Sequence, residues 1–90
     1  MTAQLDERRR RAAYRAAHRG TKEMDWLLGK YADAHLATLA DSDVDEFEQF
    51  MALPEPQLQA WLMSGSGYQG NAFAPLIDKI RAFHGLTQKG

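Results

Sequence analysis

An all-α fold, a compact bundle of about five short helices, is predicted by three features of this 90-residue chain. Apolar residues recur at three- and four-residue spacing, and no stretch alternates with period two as a half-buried strand would. Alanine and leucine are plentiful, whereas valine, isoleucine and threonine are scarce, which favours helix when summed over the chain. Gly20, Pro54, Pro56, the glycines between 65 and 70, and Gly85 punctuate the periodic segments.

The first helix is expected from about Asp6 to Arg19. Asp6 and Glu7 stand at its start and Arg15, His18 and Arg19 near its end, which matches the helix dipole. Ala12, Ala13, Ala16 and Ala17 form a small-residue face suited to close packing. Gly20 stops the helix, because glycine takes a left-handed cap conformation without a Cβ clash. The second helix is expected from about Thr21 to His35, with Met24, Leu27, Leu28, Tyr31 and His35 as its apolar stripe. Glu23 lies in its first turn, where negative charge is favoured.

Ser42 is the expected cap of a third helix, with Asp43, Asp45 and Glu46 in its first turn and Val44, Phe47, Phe50 and Met51 as its apolar face. Pro56 suits the first turn of a short fourth helix carrying Leu58, Trp61 and Leu62. Residues 64–70 read as a glycine-rich loop. A fifth helix is expected from about Ala72 to His84, capped by Asn71 and stopped by Gly85, with Phe73, Leu76, Ile77, Ile80 and Phe83 facing inward. Trp61 is expected in the core beside Leu58 and Leu62. Trp26 falls off the apolar stripe and is expected to be partly exposed near the first helix–helix turn.

Length and composition bound the function. Ninety residues make a single domain, 1–90, burying roughly 60–65% of its unfolded surface, too little for a deep cofactor cavity. With no cysteine, disulfides, thiolate catalysis and cysteine-ligated metals are excluded. No apolar run approaches the roughly 18–20 residues of a membrane span. The arginine-rich start is interrupted by Asp6 and Glu7, which does not suit a transit peptide. A cytoplasmic bacterial setting is the expectation.

His18, His35 and His84 show no metal-ligand spacing, so no metal is expected. Asp41, Ser42, Asp43, Val44 and Asp45 resemble the start of a calcium loop. The pattern breaks at Glu46 and Ala52, where glycine and glutamate are needed, and helix capping explains the carboxylates better. Residues 65–70 lack the lysine and the preceding strand of a phosphate-binding loop. No serine or threonine stands in a nucleophile context, so an enzyme is not expected.

Charge is distributed unevenly. Arg8, Arg9, Arg10, Arg11, Arg15, Arg19 and Lys22 crowd the first quarter, and acids dominate the stretch from Asp25 to Glu55. The four consecutive arginines point around a helix rather than along one face, and the net charge is −1, which disfavours nucleic-acid binding. Arg11, Arg15 and Arg19, four residues apart, can share one stripe. That stripe leads to Arg19, Gly20, Thr21, Lys22 and Glu23. Read for folding alone, this is a tight turn with a glycine cap. It also sets two opposite charges beside a backbone that another protein can approach closely.

These residues carry a resemblance. Arg19, Gly20 and Glu23 match R-G-x-x-E, the hallmark of the SdhE family of FAD assembly factors, and Asp25 falls where members often carry an acid. Tyr14 matches an aromatic usual in the first helix. Leu58 to Leu62 resembles the family's L-x-x-W segment. The similarity covers about residues 11–84. Thr21 stands where many members have methionine, and residues 65–70 and the last helix match the pattern less closely. The resemblance implies an accessory protein that binds the succinate dehydrogenase flavoprotein subunit, and in bacteria also that of fumarate reductase. It implies that the factor promotes covalent attachment of FAD to a histidine of that subunit. Arg19, Gly20 and Glu23 would contact the partner, with Arg11, Arg15 and Asp25 supporting. FAD would belong to the partner, with none bound tightly by this chain, which is expected to be a monomer when free. The competing reading is a generic helical adaptor or nucleic-acid-associated protein using the arginine-rich first helix.

Overall fold

The structure, a computed structural model, describes residues 2–65 and 67–86. Among these residues it is all-α, as expected. Helix α1 spans Thr2–Ala17, α2 Lys22–His35, α3 Asp41–Met51, α4 Glu55–Gln59 and α5 Ala74–Phe83. A 3₁₀ turn, Leu36–Thr38, follows α2, and a π-helical turn, Ala60–Ser64, extends α4.

Each boundary has a local cause. α1 starts one turn before the expected Asp6, since Ala3, Gln4 and Leu5 are good helix formers with no breaker among them. It ends two residues before the expected Arg19. Gly20 adopts φ +115°, a backbone that only glycine takes easily, and the chain turns there. Thr21 is the N-cap of α2 rather than its first residue: its side-chain oxygen accepts from the Met24 N–H at 3.2 Å.

Two expected caps are corrected. α3 is capped by Ala40, not Ser42, which is exposed inside the first turn. The Ala40 carbonyl accepts from the N–H groups of Asp43 and Val44, both at 3.0 Å. Asp41 and Asp43 then supply the negative charge that a first turn favours. α5 begins at Ala74, two residues later than expected, with Phe73 as N-cap. Asn71 is used one step earlier: its side-chain oxygen accepts from the Phe73 N–H at 2.8 Å, closing a turn before the helix.

The core forms where the apolar stripes meet. Met24, Leu27 and Leu28 of α2 interlock with Val44, Phe47 and Phe50 of α3, with Leu58 and Leu62, and with Ile77 and Ile80 of α5. All are essentially solvent-free, and each such side chain stabilises the fold by roughly 1.5–3 kcal/mol. Trp61 lies in this core and Trp26 outside it, as expected. Phe83 is a correction: it is 43% exposed, the last residue of α5, with its ring edge-on to Tyr31 and His35 at the margin of the core.

α1 packs through Ala12 and Ala16, both buried; of the other residues of the expected small-residue face, Ala13 is half-buried and Ala17 exposed. Gly29 supplies the matching gap on α2, for a Cβ there would stand 3.0 Å from the Ala17 Cα. Arg8 ties α1 to α3, donating to Asp45 at 2.5 Å and Glu48 at 2.7 Å. These two carboxylates, Glu48 first, hold its guanidinium firmly charged.

Candidate partner-binding site

The turn joining α1 to α2 is built from its own backbone outward. Beyond Ala17 the His18 N–H still reaches the Arg15 carbonyl of α1 at 3.3 Å, and the N–H groups of Arg19 and Gly20 turn to a side chain instead. Asp25, one turn into α2, reaches back and accepts from the Arg19 N–H and, at 3.3 Å, from the Gly20 N–H. Its carboxylate also sits in the first turn of α2, where the dipole favours it. Asp25 therefore lies behind the turn and fixes its shape.

Arg19 does not extend into solvent. It has left the α1 helix, so it no longer continues the stripe of Arg11 and Arg15, and its side chain folds inward at only 14% exposure. The guanidinium donates to Glu55 Oε1 through Nη2 at 2.9 Å and through Nε at 3.3 Å. Nη2 also donates to the Met51 carbonyl at 2.8 Å, at the C-terminal end of α3. One side chain thus couples the turn to the end of α3 and the start of α4. Both donors meet the one Glu55 oxygen, and such a charge-assisted contact is stronger than a neutral hydrogen bond.

The outer side of the turn is different. Gly20, Thr21, Lys22 and Glu23 are exposed. No atom beyond the adjoining residues lies within 4 Å of where a Gly20 side chain would project. Glu23 makes no ion pair among the described residues; the acid that pairs with Arg19 is Glu55. The two charges of the motif are therefore divided, one folded in and one facing out.

Arg11 and Arg15 are exposed on α1, before the turn. Arg11 pairs loosely with Glu7 at 3.8 Å, both largely in water, an arrangement that contributes little to stability. The structure therefore brings Arg19, Gly20 and Asp25 into direct contact, sets Glu23 beside them, and leaves Arg11 and Arg15 on the approach. Glu55 is the participant that sequence reasoning missed. Nothing local marks it, since its partner is 36 residues away. Among the described residues no cluster of histidine or carboxylates is arranged to hold a metal, and no helix is long and apolar enough to cross a membrane.

Comparison with known proteins decides which family this turn belongs to. The profile of the Sdh5 family, described as the flavinator of succinate dehydrogenase, matches residues 10–84. The chain belongs to that family. It is 40% identical to the FAD assembly factor SdhE of Acetobacter pasteurianus over 76 residues, 84% of this chain and 70% of that protein. It is 29% identical to the SdhE of Vibrio cholerae over 73 residues, 81% of this chain and 84% of that one. A mitochondrial succinate dehydrogenase assembly factor 2 from Meyerozyma guilliermondii is 34% identical over 56 residues, 62% of this chain but only 42% of its own length. No solved structure matches the chain at a significant level. The matched span begins inside α1 and ends at His84, so all of the helix–helix turn lies within the family's own sequence pattern.

Proposed function

We propose that this SdhE-family chain binds the flavoprotein subunit of succinate dehydrogenase, and that of fumarate reductase in the same cell, through the outer edge of the Gly20 turn. Binding promotes covalent attachment of FAD to a histidine of that subunit. The observation that supports this is the open backbone at Gly20. Its φ of +115° with no atom over it exposes main chain that a partner can reach, with Glu23 alongside.

The division of labour follows from burial. Gly20 and Glu23 meet the partner. Arg19 and Asp25 act from behind, holding the turn in one shape so that little ordering is lost on binding. Arg11 and Arg15 steer an acidic surface toward it. The chain is an accessory protein and not an enzyme: the flavin and the partner's own groups supply the bond-forming chemistry. FAD is cargo that stays with the partner. The chain works as a cytoplasmic monomer that prefers the partner's attachment-competent arrangement. A tenfold population shift needs only about 1.4 kcal/mol of differential affinity, and a partly desolvated Glu23 making charge-assisted bonds is enough for that.

The test is to express the flavoprotein subunit alone, with this chain, and with its Gly20→Arg variant, and to read covalent flavin by in-gel fluorescence. Fluorescence should appear with the native chain and fall to the level of the subunit alone with Gly20→Arg. Equal fluorescence in all three would overturn the proposal.

A further inference from the structure

We infer that the partner surface extends beyond the turn along α2 and onto the end of α5, through an aromatic platform centred on Trp26 and backed by His84 and Phe83. This rests on the proposed function above, and its occupant is the same flavoprotein subunit.

Trp26 stands three residues after Glu23 on α2, so the two neighbour each other on one helix face. It is 48% exposed, though the core lies one residue away at Leu27. An exposed tryptophan on its own is unremarkable, but this one is held. Its ring packs against the His84 imidazole with centroids 4.3 Å apart. His84 is itself anchored, its Nε2 lying 2.7 Å from the Leu27 carbonyl, which makes Nε2 the protonated, donating nitrogen. Phe83 meets His84 edge-on at 4.9 Å and His35 at 5.3 Å. The result is a continuous row from α2 to α5, with Trp26 and Phe83, two of the large apolar side chains left in water, at its exposed points.

Continuity and composition point to the occupant. A protein interface pairs an aromatic centre with a polar rim, and tryptophan is over-represented among residues that dominate binding. The Gly20–Glu23 turn alone is polar and small. Trp26 begins the apolar area directly beside it, and Lys22, Glu23 and Lys30 surround that area as rim. Because His84 already holds the indole, Trp26 gives up little side-chain freedom on contact. His84 and Phe83 also tie α5 to α2, but the Trp26 indole stands outside the buried core.

The experiment uses the full chain carrying 5-fluorotryptophan at both Trp26 and Trp61, with the two ¹⁹F resonances assigned through Trp26→Phe. The isolated flavoprotein subunit is added, and affinity is measured in parallel for native, Glu23→Ala and Trp26→Ala chains. The Trp26 resonance should shift or broaden on addition while that of buried Trp61 stays in place, and Trp26→Ala should bind at least about tenfold more weakly. If native chain binds, Glu23→Ala weakens binding, and Trp26 is silent in both readouts, the platform is overturned and the proposed function stands. If the native chain does not bind the subunit at all, the proposed function fails and takes the platform with it.

Discussion

Two turns in this molecule use the same ingredients, an arginine and a glycine with positive φ, and end differently. At the close of the α4 extension, Gly65 has φ +72° and is covered: a Cβ there would meet the Arg81 guanidinium carbon at 2.5 Å. Arg81 is buried and donates to the Leu62 carbonyl at 2.5 Å and the Leu86 carbonyl at 2.7 Å, satisfying chain ends that no helix serves. At the α1–α2 turn, Gly20 has φ +115° and nothing above it. There the arginine has been drawn away underneath, to Glu55 and Met51. The first turn is closed on itself and its parts are explained by stability. The second is stiffened from below and left open above, which folding does not require.

That contrast can be broken from either side. The largest effect belongs to the closed turn. Gly65→Ala forces the new Cβ into Arg81 and adds left-handed strain, so it should destabilise the fold by about 2–4 kcal/mol in urea denaturation. Flavinylation should fall only as folded protein is lost. Next is the latch beneath the open turn. Glu55→Ala strands the Arg19 guanidinium where water reaches it poorly, and a loss of roughly 1–3 kcal/mol is expected from the same measurement. The paired exchange Arg19→Glu with Glu55→Arg should recover part of that loss, whereas independent roles would make the two changes additive.

Gly20→Ala is smaller still. Space is free, so only the backbone conformation is penalised, by about 1–2 kcal/mol. Binding of the flavoprotein subunit should weaken more than that stability loss explains.

The smallest effect is alkaline. The Tyr68 hydroxyl donates to Asp78 at 2.5 Å, and that bond pushes the phenol upward. Burial, helped by Asp43 and Glu46, does the same to Tyr31. Both raise the folded-state value, so their contribution is complete below the ordinary phenol value of about 10 and is lost as pH rises through the higher folded values. Stability followed from pH 9 to 12 should decline, and Tyr68→Phe should flatten that decline.

Much of this architecture is legible in the amino-acid sequence. Leu27, Leu28 and Tyr31, or Phe47 and Phe50, announce their helices through spacing alone, since burial of one face imposes the period. Gly20 and Gly85 announce where helices stop. Ends were less legible. Ser42 and Asn71 have the chemistry of caps, yet Ala40 and Phe73 hold those positions, because the backbone path from the preceding turn sets where a helix begins. The candidate site was legible as a motif but not as a geometry. Arg19 and Glu23 look like partners on paper. The pairing of Arg19 with Glu55 depends on how α4 packs beneath the turn, a long-range contact that no local pattern encodes. Phe83 continues the α5 stripe by spacing, yet it stands at the last residue of the helix and stays partly exposed at the margin of the core.

The central claim is that the outer edge of the open turn acts on the partner rather than on the fold, and Glu23→Ala tests it most directly. Glu23 is exposed, so the variant should unfold within about 0.5 kcal/mol of the native chain. Co-expressed with the flavoprotein subunit at matched levels, it should leave that subunit with roughly a tenth or less of its covalent flavin fluorescence, in line with a loss of about 1.4 kcal/mol of differential binding. Native stability together with native flavinylation would contradict the account.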